Sequence, residues 1–379
     1  MEWKIPLFEI FSDEDDIASI ISVLKRRKNW AAGPEVQNFE RELTNYIGSK
    51  YAIAFNSGTS ALFAAMIACG LKKGDEVIVP SFTFIATANA PLFVGARPVF
   101  AEIEEQSYGL DPEDVLERIT PHTKAIIPIH YGGCPCRIKE LREIAEDRGL
   151  LLLEDAAEAL GARVGSKKVG SFGDSSILSF CQNKIITTGE GGAVVTNEKT
   201  IFEKLALICS QGRLENSAYF DSTDSGDYID LGYNFRMSSM TAALGISQLH
   251  KADRIAEYRR EKASYMRAML SDVEGIEVLK EPEGNFHVYQ MFTIKVKDGR
   301  SKRDALMNYL MAEGIMTKVY FPPVHLTKFY KSLGFIEGDL PKTEELSSQV
   351  LSLPIFPSLT EEGMDYIVEK VQRFFEAER

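Results

Sequence analysis

From Tyr51 onward, short apolar runs alternate with amphipathic segments. The apolar runs predict strands over Tyr51–Phe55, Glu76–Val79, Pro98–Ile103, Ala125–Ile129, Leu150–Leu153, Ser176–Phe180 and Ala193–Thr196. The segments between them predict helices over Thr59–Cys69, Ile85–Phe93, Arg137–Arg148 and Glu198–Ser210. Short β-rich runs that alternate with helices are typical of an α/β fold, with parallel strands in one sheet covered on both faces.

The two ends of the chain have a different pattern. Helices are predicted over Asp13–Arg27, capped by Ser12, and over Glu35–Tyr46. A long helix over Ser239–Ser271 is followed by strands at Val288–Val296 and Gly314–Tyr320 and helices at Lys302–Glu313 and Glu361–Glu376. We therefore predict a large domain over residues 1–245 and a small α+β domain over residues 246–379. The polar segment Arg213–Ile229 is predicted to be a functional or mobile loop.

Lys184 lies in a polar turn between two apolar strands, within the stretch Ser179–Gly192. Lysine is rarely placed between buried strands without a function or a partner. It can act as a nucleophile and proton shuttle if burial lowers its pKa, or it can form a salt bridge, for example to Glu190. The hydroxyl of Ser179, near the same strand end, can reach a phosphate, or the residue can be an ordinary strand serine.

Asp155 follows the fully apolar strand Leu150–Leu153. Ligands of open parallel sheets bind beyond the carboxyl ends of the strands. An acid there can cap a helix, bind a metal, or pair with a pyridinium nitrogen and keep it protonated. Because Lys184 follows at the end of another strand, the two residues together favour a functional role.

The segment Asn56–Leu62 joins a strand to a helix. Helix N-termini carry unpaired amide hydrogens and partial positive charge, which suits a phosphate, and Thr59 and Ser60 add hydroxyl donors. The same residues also fit a simply capped helix. The segment lacks the Gly-Lys-Ser/Thr ending of a P-loop and is not G-x-G-x-x-G.

Three further residues lie in segments that mix aromatic and polar side chains or carry prolines, and each has an ordinary structural interpretation. Phe84, just after a strand, can stack on a flat heterocycle or pack in the core. Asn234 can cap the helix that follows it. His325, in the proline-bearing loop Tyr320–His325, can contact a substrate or simply be exposed.

Composition excludes several classes of function. The 379 residues carry a net charge of −12, which argues against nucleic acid or an anionic membrane as the main partner. No apolar run approaches the roughly 18 residues of a spanning helix, and Met1–Pro6 is no secretory signal. The five cysteines and the histidines show no metal-ligand spacing, so we expect no metal, reduced thiols and a cytoplasmic location.

Taken together, these segments resemble the DegT/DnrJ/EryC1/StrS family of pyridoxal 5'-phosphate (PLP)-dependent nucleotide-sugar aminotransferases. The matching motifs, in order, are Trp30–Pro34, Asn56–Leu62, Pro80–Phe84, Glu154–Gly161, Ser179–Gly192, Gly232–Met237, Tyr320–His325 and Leu353–Pro357. The resemblance implies the fold type I of PLP-dependent transferases (aspartate aminotransferase-like), with a large, mostly parallel sheet domain and a small C-terminal domain.

The resemblance also implies roles for individual residues. Lys184 would form the Schiff base with PLP, and Asp155 would pair with the pyridine nitrogen. The remaining cofactor contacts would come from Gly58, Thr59, Ser60, Phe84, Glu158, Ser179 and, toward the neighbouring subunit's cofactor, Asn234. Substrate contacts would come from Trp30, Gly33, Pro34, Asn183 and His325. The active unit would then be a homodimer.

Within the family, sugar 3-dehydratases carry histidine at the position of Lys184, so lysine favours transamination. The motifs around Asp155 and Lys184 look closest to the perosamine-synthase-like branch, which aminates C4 of a GDP-linked 4-keto-6-deoxyhexose. The expected reaction transfers the amino group of L-glutamate to such a sugar. Cys181-Gln182 and the insert Ala218–Ile229 depart from the family pattern. C3 amination, a PLP-dependent lyase or dehydratase, and a PLP-binding regulator remain alternatives.

Overall fold

The computed structural model describes residues 3–213, 223 and 227–376. Its helices are α1 Glu14–Arg26, α2 Pro34–Ile47, α3 Gly58–Ala68, α4 Ile85–Phe93, α5 Pro112–Arg118, α6 Ile138–Arg148, α7 Lys199–Cys209, α8 Ser239–Leu249, α9 Ala252–Leu270, α10 Gly299–Ala312, α11 Lys328–Ser332, α12 Pro341–Gln349 and α13 Glu361–Glu376. The strands are β1 Tyr51–Phe55, β2 Glu76–Pro80, β3 Arg97–Ala101, β4 Thr123–Ile126, β5 Leu151–Asp155, β6 Arg163–Val164, β7 Lys167–Lys168, β8 Ser175–Ser179, β9 Gly192–Thr196, β10 Ile276–Val278, β11 Asn285–Phe286, β12 Phe292–Val296 and β13 Val350–Leu353.

A seven-stranded sheet forms the centre of the molecule, in the order β1-β9-β8-β5-β4-β2-β3. The pairs β2–β3, β2–β4, β4–β5 and β5–β8 are parallel. Strand β9 runs antiparallel to both of its neighbours, β8 and β1, so β1 points the same way as β8. Six strands therefore end at one edge of the sheet, which confirms the predicted α/β class with a mostly parallel sheet.

The apolar character of the strands follows from helices on both faces of this sheet. Every residue of β2 and β9 is buried, as expected of strands covered on two sides. Helix α3 is apolar on all sides and packs between the sheet and helices α4 and α7. Helix α2 lies on the opposite face, where Phe39 and Leu43 are fully buried against β8 and β9 residues.

A second core lies in the C-terminal part of the chain, around the three-stranded sheet β10-β12-β13. Helix α9 contributes to both cores. Its first turns place Ile255 and Ala256 in the core of the large sheet, and its last turns place Met266 and Leu270 in the second core. The domain boundary at 245/246 stays a prediction.

The predicted helix Ser239–Ser271 is wrong, because the chain forms α8 and α9 with a break at Lys251. The Lys251 side chain is buried and forms ion pairs with Asp13 and with Asp16, the latter at 2.9 Å. Turning this lysine inward interrupts the helix and ties it to α1.

Two predicted caps are also wrong. Asp13, not Ser12, caps α1, and it forms a reciprocal capping box with Asp16. Helix α8 is capped by Ser238 rather than Asn234.

Two predicted strands differ as well. The strand expected at Val288 begins at Phe292, since Val288 and Met291 donate their amides to Gly133 and Gly132. The segment predicted as a strand over Gly314–Tyr320 makes only isolated bridges. Most of the polar insert Ala218–Ile229 lies outside the described residues.

Within the described residues, no helix is long and apolar enough to cross a membrane, and no group of three or more His, Cys, Asp or Glu side chains could hold a metal ion. The five cysteines are free thiols.

Candidate active site

A cavity of about 350 Å³ opens at the carboxyl edge of the large sheet. Its wall draws residues from the segments that follow β1, β2, β4, β5 and β8, and from residues 318–321 of the C-terminal part. These strands point the same way, so the turns after them meet at one place, where parallel sheets bind ligands. Both Asp155 and Lys184 line this cavity, as the sequence predicts.

Lys184 lies in the turn that follows β8, where its backbone amide donates to the carbonyl of Cys181. Its Nζ is 3.5 Å from Oε1 of Glu158, whose Oε2 accepts the amide of Gly132 at 3.0 Å. The lysine thus forms its ion pair with Glu158 rather than with Glu190. Burial raises the pKa of Glu158, and the charge of Lys184 opposes that rise.

Asp155 is the last residue of β5 and is 7% exposed. Its Oδ2 accepts the hydroxyl of Thr87 at 2.8 Å and its Oδ1 accepts the amide of Ala157 at 3.2 Å. Burial raises its pKa, and the contacts with Thr87, Ala157 and Lys184 only partly counter that effect. The cavity therefore holds a buried carboxyl that a cationic ligand atom would stabilise.

His130 also lines the cavity, although the sequence analysis assigns it no role. Its Nδ1 accepts the amide of Cys136, so Nε2 carries the hydrogen and donates to Oε2 of Glu154 at 3.2 Å. The carboxylate of Glu154 is fully buried and accepts further hydrogen bonds from Gly170, Phe172, Gly173 and Ser176. The one signal in the sequence is its position just after an apolar run that ends at Ile129, and this alone does not assign a role to a single histidine.

The N-terminus of α3 forms one end of the cavity. Gly58 and Thr59 line it, together with Ser179 at the end of β8. A Cβ at Gly58 would lie 3.1 Å from Cβ of Ser179 and 3.2 Å from its Oγ, so a side chain at this position would crowd Ser179. Ser60 is absent from the cavity wall: its hydroxyl donates to Asn56 at 2.7 Å and its amide to Ser57 at 3.0 Å.

Aromatic rings border the cavity. Phe84 is 58% exposed although it directly follows the buried strand region of β2, and Tyr320 and Phe321 approach from the C-terminal part. Asn183 lines the same space, and its backbone carbonyl accepts a hydrogen bond from the side-chain amide of Gln290. Exposure of Phe84 into the cavity leaves a ring face available for stacking.

Four other predicted residues lie outside the cavity wall of this chain: Trp30, Gly33, Pro34 and Asn234. Trp30 is 45% exposed and donates its indole N–H to the carbonyl of Val23. Asn234 is exposed, and its carbonyl accepts the side-chain amide of Asn56 at 3.4 Å, next to the N-terminus of α3.

The interpretation of His325 as an exposed loop residue is wrong, and the residue does not line the cavity. Its side chain has no exposed surface. Its Nδ1 lies 2.6 Å from Oγ of Ser81 and its Nε2 lies 3.0 Å from Oε1 of Glu344. Both ring nitrogens are therefore occupied inside the protein, and the residue connects the segment after β2 to α12.

The cavity fits PLP by the chemistry of its donors. Lys184 supplies an amine for the aldehyde, Asp155 a buried carboxyl for the ring nitrogen, and Phe84 a free ring face. Gly58 has no side chain and lies close to Ser179. Backbone amides and hydroxyls, rather than bulky side chains, therefore line the end of the cavity that suits a phosphate. This fold and this site define a PLP-dependent fold type I aminotransferase.

Comparison with known proteins gives the family. The model of the DegT/DnrJ/EryC1/StrS aminotransferase family matches residues 11–372, and the chain belongs to this family. It is 36% identical to GDP-perosamine synthase of Escherichia coli O157:H7, over 90% of this chain and 91% of that protein. It is also 36% identical to the pleiotropic regulatory protein of Geobacillus stearothermophilus, over 95% and 94%.

Among solved structures, the fold is similar to PseC of Helicobacter pylori, an aminotransferase involved in the biosynthesis of pseudoaminic acid. The TM-score is 0.92 at 30% identity, and the match covers 100% of both chains. The protein is thus a PLP-dependent sugar aminotransferase, as the resemblance implied.

Proposed function

We propose that the protein transfers the amino group of L-glutamate to C4 of a nucleotide-linked 4-keto-6-deoxy sugar, with a GDP-linked sugar of the 4-keto-6-deoxymannose type as substrate. The observation that carries the chemistry is the shared cavity of Lys184 and Asp155. The GDP-linked substrate is supported by the similarity to GDP-perosamine synthase. A cytoplasmic location and a homodimer belong to the same proposal.

In this function PLP, when bound, supplies an aldehyde that takes up the amino group and a ring that accepts an electron pair. Gly58, Thr59 and Ser179 would hold its phosphate, and Phe84 would lie against its ring. The carboxylate of Asp155 would keep positive charge at the ring nitrogen, since a buried anion favours a protonated partner.

Lys184 carries the protons. With its amine free, Nζ takes the proton from the α-carbon of glutamate and later delivers a proton to the sugar carbon that receives the amino group. Glu158 keeps that amine in the cavity through its 3.5 Å ion pair. The reacting sugar carbon offers few groups for the protein to hold, so binding of the nucleotide would supply orientation.

A panel of GDP-, UDP- and dTDP-linked 4-keto sugars, assayed for 2-oxoglutarate and amino sugar, tests the proposal. We expect equal amounts of both products, with the GDP-linked sugar turned over best, and C4 as the aminated carbon in the product. Formation of 2-oxoglutarate without amino sugar would contradict the proposal and favour a lyase, and a C3-amino product would correct the position.

Lys184→Ala and Lys72→Ala serve as a pair of controls for this panel. The first should lose turnover and the visible absorption of the bound cofactor, because it removes the amine that binds the aldehyde. The second removes an exposed lysine outside the cavity and should leave both unchanged. Full turnover in Lys184→Ala would refute the catalytic assignment.

A further inference from the structure

Two buried threonines connect the segment after β2 to the carboxyl of Asp155. Thr87, in the first turn of α4, is 1% exposed, and its hydroxyl lies 2.8 Å from Oδ2 of Asp155. The hydroxyl of Thr83, 3% exposed, lies 2.8 Å from that of Thr87. Both threonines line the cavity.

The direction of these hydrogen bonds follows from the available hydrogens. A carboxylate can only accept, so Thr87 gives its single hydroxyl hydrogen to Asp155. The oxygen of Thr87 is then left as an acceptor, and Thr83 must donate to it. The result is a one-way chain from Thr83 through Thr87 to Asp155, which stabilises the ionised form of the acid.

We propose that Thr87, supported by Thr83, is a positioning residue that holds Asp155 ionised and aimed at the ring nitrogen of the cofactor. Asp155 has two oxygens, and each already accepts one hydrogen bond, from Thr87 and from Ala157. These two bonds fix the carboxylate plane and leave the remaining lone pairs for the cavity. This inference rests on the proposed function only in assuming a ring nitrogen as the ligand of Asp155.

The environment makes this support necessary. Burial drives the carboxyl of Asp155 toward its neutral form, and a neutral acid would not hold positive charge on a ring nitrogen. The hydrogen bond from Thr87 acts in the opposite sense. The position of Thr87 in the first turn of α4 adds the partial positive charge of a helix N-terminus near the same carboxyl.

Thr87→Val removes the hydroxyl at nearly constant volume and is the main test. We expect the affinity for PLP, measured by equilibrium dialysis at pH 7, to fall about tenfold, as for one lost hydrogen bond to a charged group. Without the hydroxyl, Asp155 protonates at higher pH. The loss of PLP binding and of the visible absorption on acidification should therefore move to higher pH by about one unit.

Thr87→Ser keeps the hydroxyl and should restore both quantities to within about twofold of the original protein. Thr196→Val is the matched control, because Thr196 is a 3% exposed threonine of the same sheet whose hydroxyl donates to the carbonyl of Asp174, outside the cavity. It should leave PLP affinity and its pH dependence unchanged. A general loss of packing would instead affect Thr196→Val and Thr87→Val alike.

The inference would be overturned if Thr87→Val binds PLP as tightly as the original protein and loses it on acidification at the same pH. If Thr87→Val does not fold, Thr83→Val decides. A smaller rise in the pH at which PLP binding is lost would support the hydrogen-bonded chain from Thr83 to Asp155. Loss of PLP at the original pH would overturn it. Neither measurement uses a sugar nucleotide. A failure of this inference is therefore distinct from a failure of the proposed substrate. If the substrate is wrong, the PLP affinity and its pH dependence are unaffected.

Discussion

Glu154 and Asp155 are adjacent in β5 and point to opposite faces of the strand, where they meet opposite environments. Both are buried, and burial alone raises the pKa of a carboxyl. For Glu154, hydrogen bonds from His130 and from backbone amides outweigh burial, and the pKa lies below its ordinary value. For Asp155 burial dominates and the pKa is raised. One residue is a structural anion, and the other is left for a ligand.

Glu154→Gln should therefore destabilise the fold by about 3–5 kcal/mol at pH 7, since the amide cannot accept all the bonds that the carboxylate accepts. Because the folded pKa of Glu154 is lowered, its stabilisation is full above the unfolded value, roughly pH 4.3, and is lost as pH falls through the folded value. The difference in unfolding free energy between the two proteins, from urea titrations, should narrow on acidification below about pH 4.

Glu117→Gln is a suitable control for this comparison, because Glu117 is an exposed glutamate of α5. It should change the free energy of unfolding by less than about 0.5 kcal/mol at every pH tested. If the difference in unfolding free energy between Glu154→Gln and the original protein does not depend on pH, the assignment of an ionised Glu154 is contradicted.

Among single residues, the sequence could predict those whose position in the chain leaves few possible roles. Asp155 is recognisable as an acid at the end of an apolar strand, and Lys184 as a lysine in the turn after another such strand. Thr87 and His130 could not be assigned, because a threonine in a helix or a single histidine has many structural uses. Their roles depend on hydrogen bonds between residues far apart in sequence, 68 positions for Thr87 and Asp155.

At the scale of elements, the predicted helices and strands of the large sheet agree with the structure to within three residues at each end. Short, continuous apolar runs with short connections between them make such elements visible in sequence. The errors fall where a tertiary contact decides the local structure. Lys251 breaks a continuous helical pattern by pairing with Asp16, and Val288 is drawn out of its strand by Gly133.

The cluster of Ser81, His325 and Glu344 is a further tertiary contact of this kind, and it gives His325 an anchoring role. The ring joins the segment after β2, which carries Phe84, to α12, with Phe321 of the cavity wall nearby in the chain. Glu344 also accepts the amides of residues 338 and 340. The histidine thus ties the segment after β2, which forms one wall of the cavity, to α12 without lining the cavity itself.

His325→Ala should destabilise the protein by about 2–4 kcal/mol, because it leaves Ser81 and Glu344 without their partner and opens a cavity. The KM for the sugar nucleotide should stay within about twofold at temperatures where the variant is folded. Urea unfolding and steady-state kinetics measure the two quantities. His122→Ala removes an exposed histidine and should alter neither. A large rise in KM with unchanged stability would restore the substrate-binding role.

For the whole molecule, the site depends on parts of the chain that are distant in sequence. Turns after five strands of the large sheet form most of the cavity, and residues 318–321 of the C-terminal part close one side. Helix α9 packs in both cores and so connects the two parts mechanically. The sequence could predict the large sheet and the C-terminal part, since each has its own apolar pattern. It could not predict which loop of the C-terminal part faces the large sheet.

Asn234 shows why a second subunit belongs to the proposed function. It is an exposed residue outside the cavity wall of its own chain, so the cofactor contact that the family resemblance implies would be made to a neighbouring subunit. A twofold dimer would place the Asn234 of each subunit at the site of the other. Each active site would then combine Lys184 of one chain with Asn234 of its partner.

Mixing two inactive variants tests this arrangement. Lys184→Ala and Asn234→Ala should each have greatly reduced turnover as homodimers. In a mixed dimer, one site receives both substitutions and the other receives neither, so activity returns. With random exchange about half of the dimers are mixed and each has one intact site, so recovery should approach about a quarter of the original activity. Co-expression with two different affinity tags, followed by sequential purification, isolates the mixed species for assay. No recovery in that purified species would mean that each chain completes its own site, and Asn234 would then lose its proposed role.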